Sequence, residues 1–86
     1  SMDPLKQQIR ELLVAELMLP QAPEDLATDA LLFSPTGLGL DSVDALQLVV
    51  ALEKKFALKF PDADAARGVL QSIDTIAAAI EAKTAS

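Results

Sequence analysis

Gly39-Leu40-Asp41-Ser42-Val43-Asp44-Ala45-Leu46-Gln47-Leu48-Val49-Val50-Ala51-Leu52-Glu53-Lys54-Lys55-Phe56 is the stretch on which the fold turns. A glycine turn runs into an Asp-Ser pair, and no Gly or Pro then follows until Pro61. Asp41 or Ser42 can cap the free N–H groups of a first helical turn. Ala45, Leu48, Val49, Leu52 and Phe56 recur at helical spacing and form one apolar stripe. Val43, Leu46 and Val50 form a second stripe, roughly 135° away at about 100° per residue. Ser42 falls between the two stripes, at the helix start.

A helix with one face on a core needs one stripe. Full burial of a Val or Leu side chain is worth about 1.5–3 kcal/mol, and a solvent-facing stripe forgoes most of that. The second stripe is therefore either core in a deeply buried helix or a surface that meets a partner beside Ser42.

Composition narrows the classes. The chain has 86 residues, enough for one small domain with a modest core. Residues 2–86 read as that domain, and Ser1 before Met2 reads as a remnant of tag cleavage. Half the residues are apolar, but the only aromatics are three Phe, so Leu, Ile, Val and Ala must build the core. Little Gly and no turns at strand spacing favour an all-α fold. No Cys is present, which excludes disulfides and thiolate metal sites and points by default to the cytosol. No His is present, which excludes a Ser-His dyad and a His metal ligand. A net charge of −6 argues against nucleic acid and anionic membrane surfaces and favours basic partner surfaces. No apolar run is long enough to insert in a membrane.

The rest of the chain reads as three more helices. Asp3-Pro4 opens the first, with Asp3 as cap and Pro4 at the first position. Leu5, Ile9, Leu12, Leu13 and Leu17 form its core face; Lys6, Gln7, Arg10, Glu11 and Glu16 form its wet side. Pro20 and Pro23 end it near Met18. A long connection over about 19–41 carries its own anchors, Leu26, Leu31, Leu32 and Phe33, with Asp25 and Asp29 each able to start a single turn. Ser34-Pro35-Thr36-Gly37-Leu38-Gly39 then turns the chain towards Asp41. Its glycines lack the strand, third Gly and Lys-Ser/Thr of a nucleotide loop. After Phe56, Leu58 and Phe60 point inward. Asp62 or Asp64 starts a short helix from Ala63 to about Val69, weakened by Gly68. Ser72 caps the last helix, whose stripe is Ile73, Ile76, Ala77 and Ile80, and Thr84-Ala85-Ser86 reads as a frayed tail. The whole is an all-α four-helix bundle: three longer helices, a short third helix and a long loop between helices one and two.

The Gly39–Phe56 stretch resembles the signature of acyl carrier proteins, and the length and helix layout extend the likeness to almost the whole chain. The resemblance implies that Ser42, preceded by Asp41, carries a phosphopantetheine arm donated by coenzyme A through a phosphopantetheinyl transferase. Acyl groups would travel on its thiol as thioesters, and the protein would be a carrier and no enzyme. A phosphodiester on Ser42 would sit in the field of a helix N-terminus, with Asp41 and Asp44 opposing it. The implied partners are ketosynthases, acyltransferases or acyl ligases, met by a monomeric carrier through Val43, Asp44, Leu46, Gln47, Val50, Glu53 and Lys54. The acyl chain would fold back beside helix two, where Ala45, Ala51, Ala77 and Ala78 leave room.

Some residues depart from housekeeping fatty acid carriers, which usually have Glu where this chain has Gln47, Lys54 and Lys55. The loop before Asp41 is longer and richer in Pro and Gly, and Ala63, Ala65, Ala66 and Arg67 stand where Glu is common. These departures suit a dedicated carrier for a specialised lipid or polyketide. A peptidyl or aminoacyl carrier would use the same serine with other cargo. An unmodified helical adaptor would use the second stripe alone.

Overall fold

The computed structural model describes residues 3–85. The readings of Ser1 as a tag remnant and of Ser86 as tail lie outside them. Four helices follow in order: α1 (Pro4–Leu17), α2 (Ser42–Phe56), α3 (Ala63–Val69) and α4 (Ile73–Ala85). A single 3-10 turn at Pro23–Asp25 interrupts the long loop between α1 and α2.

Each helix starts where a short polar side chain satisfies its free N–H groups. Asp3 Oδ1 accepts from the Leu5 N–H at 2.9 Å and Pro4 takes the first position. Asp62 Oδ1 accepts from the Ala65 N–H at 2.8 Å, so Asp62 is the cap of α3 and Asp64 lies in its first turn. Ser72 Oγ accepts from the Thr75 N–H at 3.2 Å, and Thr75 Oγ1 accepts from the Ser72 N–H at 2.9 Å. α1 and α2 both end on a residue in the left-handed region, Met18 and Ala57.

The core is aliphatic. Ile9 and Leu13 of α1, Leu48 and Leu52 of α2, Ile73 and Ile76 of α4, and Leu32 of the loop are the largest fully buried side chains. α1 packs on both α2 and α4, while the short α3 packs on α4.

The long loop is stitched to the helices by its backbone. Arg10 Nε donates to the Leu26 carbonyl at 2.9 Å, the Leu32 N–H to the Gln71 carbonyl at 2.8 Å, and the Asp74 N–H to the Thr28 carbonyl at 2.9 Å. The Leu38 and Leu40 N–H groups bond the Leu31 and Leu32 carbonyls, closing a compact turn before α2. Gly37 is needed there for space, since a Cβ would sit 1.8 Å from the Leu31 oxygen. Gly39 is needed for conformation, with φ at 67°.

Four expectations need correction. Leu31 is not an anchor; it is half exposed at the turn beside Gly37, while the next residue, Leu32, is fully buried. Neither Asp25 nor Asp29 starts a turn: the 3-10 turn begins at Pro23, whose fixed φ suits that position, and Asp25 ends it. Thr84 and Ala85 are not frayed, since α4 includes both and Thr84 Oγ1 bonds the Ile80 carbonyl at 2.9 Å. Arg10 and Lys6 are only partly wet, since Arg10 reaches Leu26 and Lys6 crosses to Asp74.

The Lys6–Asp74 pair ties α1 to α4 at 2.8 Å. The Lys6 ammonium, and then Thr28, hold the Asp74 carboxyl below the usual carboxylate range, and Asp74 raises Lys6 in turn. A depressed carboxyl contributes stability above its unfolded pKa of about 4, and that is lost as pH falls through the folded value. A raised lysine contributes below about 10.4, and that is lost as pH rises through the folded value. The pair therefore supports the fold across the neutral range and weakens at both ends. Asp74→Asn should lower stability at pH 7 and flatten the decline below pH 4, which urea melts across pH will read. An acid limb unchanged in the variant would refute the assignment.

Candidate functional site

The start of α2 sets the site. Asp41 is extended, and its Oδ1 accepts from the Asp44 N–H at 2.9 Å. Asp44 Oδ2 accepts in return from the Asp41 N–H at 3.0 Å. This capping box satisfies donors on both sides and resolves the choice of cap: it is Asp41. Ser42 is thereby left as the first helical residue. Its side chain is exposed and, among the described residues, makes no hydrogen bond.

The other serines of the described residues differ. Ser34 Oγ lies 2.9 Å from Thr36 Oγ1, and Ser72 is buried within its cap. Among the described serines, Ser42 alone has a hydroxyl without a hydrogen bond, and it lies at a helix N-terminus, whose partial positive charge favours an anion, between Asp41 and Asp44. The Asp41 and Asp44 carboxylates beside it are each engaged through one oxygen in the capping box, and the chain holds no His. The Ser42 hydroxyl is exposed and has no base hydrogen-bonded to it among the described residues. Among the described residues no cluster of His, Cys, Asp and Glu is placed to hold a metal.

Two concavities flank α2. On one side a cleft of about 610 Å³ runs from Ser42 between α2 and α3, walled by Phe33, Ala45, Val49, Phe60, Ala66 and Leu70, with Asp62 and Arg67 at its polar edge. On the other side a groove of about 570 Å³ lies between α1 and α2. Leu46 borders both.

The two stripes separate as the spacing requires. Leu48 and Leu52 are buried and Ala45, Val49 and Phe56 half-buried, whereas Val43, Leu46 and Val50 are 64%, 66% and 43% exposed. Of the residues expected at a partner surface, Leu46, Gln47, Val50 and Lys54 are brought together along the α1–α2 groove. Val43 is exposed but lines neither concavity, Asp44 is tied into the capping box, and Glu53 faces Lys59 at 4.0 Å. Of the four alanines expected to leave room for a chain, only Ala45 lines the cleft; Ala51 and Ala77 are buried, and Ala78 is exposed. Sequence reading missed Phe33, Phe60 and Leu70 as one wall beside Ser42, because they come from three segments.

Comparison with known proteins agrees with this geometry. The family model described as "Phosphopantetheine attachment site" matches residues 7–80. An acyl carrier protein of Campylobacter hominis is 35% identical over 75 residues, 87% of this chain and 87% of that one. The chain belongs to the acyl carrier protein family. A mitochondrial acyl carrier protein of Saccharomyces cerevisiae is 48% identical over a shorter span of 42 residues, 46% of this chain and 34% of that protein.

Acyl carrier proteins hold phosphopantetheine as a covalent cofactor. The residues at the start of α2 fit such a group. A phosphodiester needs a free hydroxyl, which Ser42 supplies; the helix N-terminus favours its charge, and the neighbouring Asp41 and Asp44 carboxylates oppose it. The cleft that starts at the same residue has the apolar lining an acyl chain needs.

Proposed function

We propose that this protein carries acyl intermediates as thioesters on a phosphopantetheine arm attached at Ser42. The observation that carries the reading is the exposed Ser42 hydroxyl, free of hydrogen bonds among the described residues, at the mouth of the α2–α3 cleft. The arm supplies a thiol for acyl transfer; the chain supplies attachment, shelter and recognition. Asp41 shapes the helix start and leaves the neighbouring hydroxyl outward. Phe33, Val49, Phe60 and Leu70 would line the path of an acyl chain folded back from Ser42. The test is loading from octanoyl-coenzyme A with a broad-specificity transferase. Hydroxylamine should release one octanoyl group per protein; a product that hydroxylamine leaves intact, or no product, contradicts acyl carriage by thioester.

The cargo belongs to a dedicated lipid or polyketide pathway in preference to general fatty acid synthesis. Support comes from α2, where Gln47 and Lys54 stand beside exposed Val50 on the partner-facing side. An enzyme with a basic patch loses one attraction at Gln47 and meets repulsion at Lys54. Each such contact is worth up to about 1 kcal/mol at low salt, or about fivefold in affinity. Gln47→Glu with Lys54→Glu should therefore speed turnover by a housekeeping ketosynthase at low salt, with a gain that shrinks at high salt. Wild-type turnover equal to that of a housekeeping carrier, with no gain in the variant, would show that α2 charge does not set partner choice.

A further inference from the structure

The groove between α1 and α2 lies on the far side of α2 from the cleft and is not needed to shelter a chain on Ser42. Its floor and walls include Leu12 and Glu16 of α1 and Leu46, Val50, Lys54 and Lys55 of α2. Two properties stand out together. Leu46 and Val50 are two of the few large apolar side chains left exposed, and they are neighbours one helical turn apart. Lys54 and Lys55 form no ion pair among the described residues. Elsewhere Lys6 pairs with Asp74, Arg10 donates to the Leu26 carbonyl, Lys59 lies 4.0 Å from Glu53, and Arg67 pairs with Asp64. On a chain of net charge −6, two cations against the single carboxylate of Glu16 leave this groove with a local excess of positive charge.

We propose that this groove docks an amphipathic helix of a partner protein, with apolar side chains seated on Leu12, Leu46 and Val50 and carboxylates facing Lys54 and Lys55. The size suits such a segment: Leu46 to Lys55 is ten residues of helix, about 13.5 Å from first to last, or between two and three turns. Apolar residues at i, i+3 or i+4, and i+7 of a partner helix would follow it. The charge complementarity excludes a basic partner face, whose cations would meet Lys54 and Lys55. It also separates this surface from the acidic start of α2, where Asp41, Ser42 and Asp44 lie. Ser42 lies only one turn before Leu46, but it lines the cleft on the other side of α2 and not the groove, so a helix seated in the groove leaves the hydroxyl facing the cleft. The groove would thus act as a tether, holding the carrier to an acidic helix while Ser42 serves another enzyme. Helix-dipole complementarity accounts for cations in the last turn of α2, but not for exposed Leu46 and Val50 beside them.

The proposal rests on the partner-facing reading of α2 but not on the arm, so the two can fail separately. The test uses a fluorescein-labelled helical peptide with leucines at i, i+3 and i+7 and two glutamates near one end, titrated into the full chain by anisotropy. Binding should weaken with salt. Lys54→Glu with Lys55→Glu should weaken it at least about tenfold, from two exposed pairs turned from attraction to repulsion. A peptide with lysines in place of the glutamates should recover binding to that double variant. Leu46→Ala should weaken binding with the salt dependence unchanged. Amide shifts should cluster at Leu12, Glu16, Val50 and Lys55, and a transferase should still modify Ser42 with peptide bound. Equal binding to wild type and double variant, shifts confined to the α2–α3 cleft, or no binding at millimolar peptide would overturn the groove. Failure of Ser42 modification in peptide-free protein would instead count against the carrier reading and leave the groove standing.

Discussion

Ser42→Ala should yield a folded helical domain that accepts no arm. The two halves of that result have separate causes. The fold is spared because the cap of α2 is Asp41, and the Ser42 hydroxyl makes no hydrogen bond among the described residues. Loss of a capping side chain would cost about 1 kcal/mol, and no such loss applies here; Ala also has the better helix propensity. Modification is lost because Ser34 is bonded to Thr36 and Ser72 is buried in the cap of α4, so neither offers a substitute hydroxyl. Circular dichroism and a melt should therefore match wild type within a few degrees, while transfer from fluorescent coenzyme A falls to background. Asp41→Ala is the instructive contrast. It removes the cap and should cost about 0.5–2 kcal/mol while keeping the hydroxyl.

The second large effect separates the two stripes of α2. Leu52→Asp should unfold the domain. Leu52 is fully buried, and deleting a buried leucine costs about 2–5 kcal/mol before the burial of an unpaired carboxylate is added. A domain of this size has about 4–13 kcal/mol in total. Leu46→Asp changes the same residue type on the same helix but at a position 66% exposed. It should cost no more than about 1 kcal/mol, mostly helix propensity, or about 4–8 °C in melting temperature. Its damage should appear in partner turnover. Equal destabilisation by the two substitutions would mean that the outer stripe is core and that α2 has no free face.

These contrasts follow from how the sequence encodes α2. Periodicity alone separates Leu48 and Leu52 from Val43, Leu46 and Val50, because helix geometry fixes which residues share a face. The span of α3 from Ala63 to Val69 was legible too, but the choice of Asp62 over Asp64 as its cap rests on the Ala65 bond. The choice between Asp41 and Ser42 as cap is not legible in the same way. Both residues are good caps, and only the reciprocal bond from Asp44 decides between them.

The long loop was legible in its anchors Leu26 and Leu32 and not in its path. Leu31 and Leu32 look alike in sequence, yet one is half exposed and the other fully buried. What separates them is the pairing of Leu31 with Leu38 and of Leu32 with both Leu40 and Gln71, which are contacts between distant segments. The cleft beside Ser42 was hidden for the same reason. Phe33 comes from the loop, Phe60 from the link after α2, and Leu70 from the end of α3. No window of the sequence holds them together. Lys55 escaped notice as a groove residue because its significance depends on Leu12 and Glu16 of α1 across from it.

The account stands or falls on a single covalent bond at Ser42. The most direct measurement is the intact mass of the wild-type chain after incubation with coenzyme A and a broad-specificity phosphopantetheinyl transferase, followed by fragmentation. The account predicts one added phosphopantetheine per chain, with every fragment that carries it containing Ser42. No addition, or an addition mapped to Ser34, Ser72 or another residue, would contradict it.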